Sequence, residues 1–244
     1  MRFALFLLAT SWTSLSHAAL IVAGDEWIIG PQALANNGPS TTRLIQNIVT
    51  QFGGPGKTYL FRTGTPVFFG PATQTAFQTE GITVITTNAP VITASLLVGV
   101  DAVFLHGSNP PPQTAALTAA LVSGKHVYVA GGAFNTPQEA NDWNAFTSPF
   151  GITMNFGVIN QPSQPFNVAL GPGAHPLRQG KTHLTWSNGY NLTATGGAVV
   201  THTSGPPSLS QPTNLVAINT VPEPTSLMVC TLGIASLLRR RKAT

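Results

Sequence analysis

Short apolar runs alternate along this chain with stretches whose apolar residues recur every three or four positions. Leu20-Ile21-Val22-Ala23 is the first run. Between 40 and 52, Leu44, Ile45, Ile48, Val49 and Phe52 form one stripe at helical spacing, preceded by Pro39 and stopped by Gly53-Gly54. Tyr59-Leu60-Phe61 reads as the next strand, 71–80 as a helix ended by Gly81, Ile82 to Ile85 as a strand, and 94–98 as a short helix. Asp101-Ala102-Val103-Phe104-Leu105 predicts a buried strand running into His106-Gly107-Ser108. A helix over 113–122 carries Ala116, Leu117, Ala120 and Leu121 inward and ends at Gly124. Lys125 to Ala130 is another buried strand, ending in Gly131-Gly132. Thr136-Pro137-Gln138-Glu139 is a capping box with proline at the first helical position; its helix buries Ala140, Trp143 and Phe146.

Continuous apolar strands separated by helices predict a parallel sheet covered on both faces. The expected fold class is α/β, a flavodoxin-like three-layer sandwich through about residue 151. A β-rich C-terminal part follows, because Gly, Pro and Asn become dense and helices improbable. Strands are expected at 152–156, 166–170, 184–186, 198–203 and 215–218, with 204–212 a loop.

Charge changes the picture less than the total suggests. The 244 residues carry a formal charge of +4. Between 19 and 220, however, Arg43, Lys57, Arg62, Lys125, Arg178 and Lys181 are balanced by Asp25, Glu26, Glu80, Asp101, Glu139 and Asp142. A neutral body without clustered cations excludes a nucleic-acid partner. The single cysteine, Cys230, lies near the C-terminus, so the body has no disulfide, no thiol nucleophile and no Cys-based zinc site.

The excess positive charge sits at the two ends. Met1-Arg2 is followed by the apolar residues from Phe3 to Ala9 and a step to Ser16-His17-Ala18-Ala19. This is the layout of a secretory signal peptide, cleaved after Ala18 or Ala19. At the other end, Val221-Pro222-Glu223-Pro224 leads into an apolar span over 225–238, then Arg239-Arg240-Arg241-Lys242. As a helix the span is about 21 Å long, short of the roughly 30 Å hydrocarbon core unless its arginines snorkel. The basic cluster is expected to stay cytoplasmic.

That order of box, brief span and arginine-rich terminus resembles the PEP-CTERM sorting signal. The resemblance implies a substrate of exosortase, a membrane transpeptidase-like enzyme of Gram-negative bacteria, with processing near Pro222-Glu223-Pro224. It further implies transient anchoring in the inner membrane with the body periplasmic, delivery to the cell surface or beyond, and an association with exopolysaccharide. The secretion translocon and signal peptidase are the other expected partners. The expected domains are 1–18 signal peptide, 19–203 body, 204–220 linker with a last strand, and 221–244 sorting signal (box 221–224, membrane helix 225–238, basic tail 239–244).

Within the body, Leu105-His106-Gly107-Ser108, Gly124-Lys125 and Ala130-Gly131-Gly132-Ala133 resemble three landmarks of the class I glutamine amidotransferase-like superfamily: the oxyanion-hole turn, a strand entry and the nucleophile elbow. The family's cysteine would fall at the elbow, where this chain has only glycine and alanine. Acyl transfer then lacks its attacking group, and the resemblance implies a non-catalytic branch. Asp25, His106, Gly107, Ser108, Gly131 and Gly132 mark a candidate ligand crevice beyond the strand ends. Trp186 and Tyr190, among Ser187, Asn188, Gly189 and Asn191, are the candidate sugar contacts.

The six histidines lack i, i+4 ligand spacing, so no metal and no cofactor are expected. The leading expectation is a non-enzymatic surface or matrix protein. The alternatives are a carbohydrate- or small-ligand-binding module, and a hydrolase or transferase built on Asp25, His106 and Ser108.

Overall fold

The structure is a computed structural model. It describes residues 17–64, 66–107, 114–132, 136–160, 165–205 and 212–222, the side chains of 158–160 and 222 excepted. Ser108, Ala133, Glu223, Pro224 and Arg239 to Arg241 lie outside those residues, as does the expected membrane helix. Among the described residues no helix is long and apolar enough to cross a membrane.

The strands are β1 His17–Ala23, β2 Thr58–Arg62, β3 Thr83–Thr87, β4 Ala102–His106, β5 His126–Ala130, β6 Ile152–Asn160, β7 Phe166–Ala169, β8 His183–Trp186, β9 Asn188–Ala194, β10 Val199–Thr203 and β11 Asn214–Pro222. The helices are α1 Pro31–Gln51, α2 Pro71–Thr79, α3 Thr114–Val122 and α4 Pro137–Thr147. A mainly parallel seven-stranded sheet orders them β10-β11-β1-β5-β4-β2-β3. Its five strands from β1 to β3 run parallel, and β11 runs antiparallel to both β1 and β10. β6 pairs with β9 and β7 with β8 in two small antiparallel sheets.

Helices cover both faces of the large sheet. One face packs Leu44, Ile45 and Ile48 of α1, Phe52 just after it and Phe77 of α2 onto Ile21, Tyr59, Phe61, Phe104 and Tyr128. This face is aromatic, with Phe61 and Phe104 stacked at 4.3 Å and Phe104 and Tyr128 at 5.1 Å between ring centres. The other face packs Leu117 and Leu121 of α3 and Trp143 and Phe146 of α4 onto Leu20, Val22, Val103 and Val127. His126 accepts the Ala19 N–H at 3.0 Å and stacks on Phe52 at 4.5 Å.

α1 begins earlier than its apolar stripe. It kinks at Asn37 (φ −148°, ψ 46°), two residues before the internal Pro39. Proline has no N–H to give and its ring crowds the preceding turn. The Thr41 hydroxyl instead donates to Ala33 O across the kink at 3.0 Å.

The first and last strands overlap the expected boundaries of the body. β1 starts at His17, so the boundary expected after residue 18 falls inside a strand. The last strand, expected at 215–218, is β11; it runs along the whole of β1 and on into the first two residues of the expected sorting box, with Leu215, Val216, Ala217 and Ile218 buried. An apolar quartet beside a central strand is worth more buried than solvated, which holds this last strand in the sheet.

Candidate functional site

The carboxyl ends of β1, β5 and β4 bring Asp25, His106, Gly107, Gly131 and Gly132 to one edge of the sheet. α1 leaves β1 toward the aromatic face, whereas α4 leaves the neighbouring β5 toward the opposite face. Such a divergence opens a crevice past the strand ends. Here the chain itself occupies it. β8 packs with the aromatic face and β9 with the other, so the turn between them crosses over the end of β1.

The crossing is backbone against backbone. Tyr190 N–H donates to Gly24 O at 2.9 Å. A Cβ on Gly24 would lie 2.2 Å from Tyr190 O, one on Gly132 2.5 Å from Asn188 O, and one on Gly189 2.5 Å from Gly24 O. A Cβ on Gly131 would meet Met154 Sδ at 2.8 Å. Gly131 and Gly132 therefore admit β6 and β9 rather than a ligand, which corrects the crevice expected there.

Trp186 and Tyr190 are likewise corrected as sugar contacts. Each is fully buried, Trp186 in the aromatic core and Tyr190 in the opposite one, so neither offers a ring face to a sugar. The Tyr190 hydroxyl lies 2.7 Å from Glu139 Oε2 and 3.0 Å from Thr136 O, joining β9 to the start of α4. Glu139 thus has a partner beyond the helix dipole, while Thr136 Oγ1 caps the Glu139 N–H at 3.1 Å.

Asp25 is buried, and both its oxygens accept backbone N–H donors: Trp27 at 2.9 Å and Ser187 at 2.5 Å. Burial raises its carboxyl well above the usual carboxylate range, against the lowering effect of those hydrogen bonds. It clasps the β8–β9 turn to the end of β1. His106 lies beyond, its Nδ1 3.5 Å from Glu26 Oε2 and its ring 4.7 Å from that of Phe68. Gly107 follows at φ 59°, a left-handed turn that suits glycine. Among the described residues no group of three His, Cys, Asp or Glu is placed to hold a metal.

A second cluster was not anticipated from sequence. His175, Arg178 and Lys181, on the segment between β7 and β8, wall a cavity of about 580 Å³, with His202 of β10 nearby. Arg178 and Lys181 are three residues apart, a signal too slight to stand out. The cluster is completed by Ser40 of α1, whose carbonyl and hydroxyl accept from Lys181 Nζ at 2.5 and 3.2 Å.

No family model matches the chain, and neither does any curated protein. Among solved structures, one described as the mmIFT52 N-terminal domain is similar at 16% identity, covering 69% of this chain and 86% of its own, with a TM-score of 0.48. At that level the likeness says nothing about what this chain does.

Proposed function

We propose that this is an exported cell-surface or extracellular-matrix protein, sorted and processed by exosortase, non-enzymatic, and associated with exopolysaccharide. Its body is read as a flavodoxin-like three-layer sandwich of the non-catalytic amidotransferase-like kind. The observation that carries the reading is the order of Pro-Glu-Pro box, short apolar span and arginine-rich end within the last 24 residues.

The sheet register fits that reading. His17 pairs with Pro222 and Ala18 with Val221. The segment arriving from the leader and the segment departing toward the sorting box are therefore neighbours at one end of the sheet. A body tethered by both would turn that end toward the inner membrane. The glycine and alanine at the elbow support a non-enzymatic role, as does a strand-end crevice occupied by the chain's own backbone.

The test is made in the host. Deleting the exosortase is expected to leave the protein in the inner membrane with residues 225–244 still attached, detected by mass spectrometry of its C-terminal peptide. Identical processing in the deletion strain overturns the sorting claim.

A further inference from the structure

Arg178 and Lys181 are buried like core residues, 9% and 6% exposed. Long cationic side chains ordinarily carry their charge out to water, and a buried cation costs several kcal/mol unless it is paired. Among the described residues, neither forms an ion pair. Arg178 Nε is buried without a hydrogen-bond partner there, and so is His202 Nε2. Burial first, then the charges of Lys181, Arg178 and His175, holds His202 well below the usual imidazole range. Two cationic side chains and two imidazoles thus share a region in which, among the described residues, no carboxylate contributes to the field at His175, Lys181 or His202.

We propose that the cavity between β7 and β8 binds an oxyanion, a carboxylate, sulfate or phosphate group, gripped by Arg178 and Lys181 with His175 as a third donor. The guanidinium fork matches such groups geometrically, and the ammonium supplies a compact charge beside it. His175 Nδ1 accepts the Leu177 N–H at 3.2 Å, so the neutral ring carries its proton on Nε2 and remains a donor. Gly173 makes room for the guanidinium: a Cβ there would lie 2.5 Å from Arg178 Nη1. The other charged or titratable side chains beside the segment are Arg43 of α1, near Gly180, His183, whose Nδ1 lies 2.9 Å from Thr182 Oγ1, and Glu80, which lines a separate cavity with Pro176 and Gln179 and accepts from Gln46 Nε2 at 2.9 Å. Glu80 is the one carboxylate among them, and it does not contribute to the field at His175, Lys181 or His202.

Burial pushes Lys181 down to about 7. An anion favours the protonated ammonium, so binding takes up protons near neutrality and weakens as pH rises above that value. This inference goes beyond the export reading and does not depend on it.

The full chain in non-ionic detergent is titrated calorimetrically with sodium sulfate, sodium phosphate and sodium acetate at constant ionic strength, with sodium chloride as the control. Measurements at about pH 6.5 and about pH 8.5 bracket the lysine. The expected result is one-site saturation by at least one oxyanion and none by chloride, with weaker binding at the higher pH. Acetate against sulfate and phosphate separates a carboxylate site from a tetrahedral one. Arg178→Gln and Lys181→Gln each lose about tenfold or more, while Lys57→Gln binds as wild type, since the Lys57 ammonium pairs with Asp101 and lines no part of this cavity. Should either variant fail to fold, the wild-type pH dependence and an oxyanion-specific rise in Tm over chloride carry the decision. Two outcomes overturn the proposal: no oxyanion saturates below about 10 mM, or binding is the same at both pH values and in both variants.

Discussion

At the residue scale, Asp25 holds two segments of backbone together rather than facing a substrate. Asp25→Asn preserves its shape but turns an amide NH₂ toward one of the two N–H donors. A loss of about 1–3 kcal/mol is expected in urea denaturation. Tyr190→Phe removes the hydroxyl that faces buried Glu139, and a loss of about 1–3 kcal/mol is expected there too. The basic cluster sets a pH dependence. His202, whose ordinary value is 6.5, is held neutral in the folded protein. The unfolded chain therefore binds the extra proton, and stability falls as pH drops through and below about 6.5. Lys181, about 7 folded against 10.5 unfolded, makes stability rise with pH between those values. Thermal denaturation across pH is expected to show His202→Gln flattening the acid limb and Lys181→Met the alkaline one.

At the scale of elements, the strand–helix alternation from β1 to α4 was legible because its signals are local. Five apolar runs and the stripe of α1 depend only on residues a few positions apart. β9 was not legible as a strand. Asn188-Gly189-Tyr190-Asn191 is rich in turn formers, and Tyr190 with the nearby Trp186 resembles an exposed contact until Gly24 and Gly132, far away in sequence, are seen to admit the strand. The glycine signal was read at the right place and for the wrong occupant, since a strand end that accepts a ligand and one that accepts a second backbone need the same missing Cβ. The oxyanion cavity was hidden for a related reason: Lys181 meets Ser40 across 141 positions. Gly132→Ala, at φ 95° and with backbone 2.5 Å from the new Cβ, is expected to cost more than about 3 kcal/mol. Equilibrium unfolding of the variant measures it.

At the scale of the whole molecule, the first and last described strands lie side by side in the sheet. On the export reading, Edman sequencing of the surface form is expected to begin at Ala19 or Leu20. Either start keeps the β1–β5 ladder, which opens at Leu20 and Val127. A chain ending before Asn214 loses the strand beside β1, and we expect no cooperative melting transition from it in calorimetry. The same pairing governs when the protein acquires its shape. β1 is synthesised before both its neighbours, which arrive only with residues near 127 and, on its other flank, near 218. Contacts so distant in sequence make for slow, late closure. The sheet therefore cannot close around β1 until residues 214–222 have been made, and the register of its central strand waits on them.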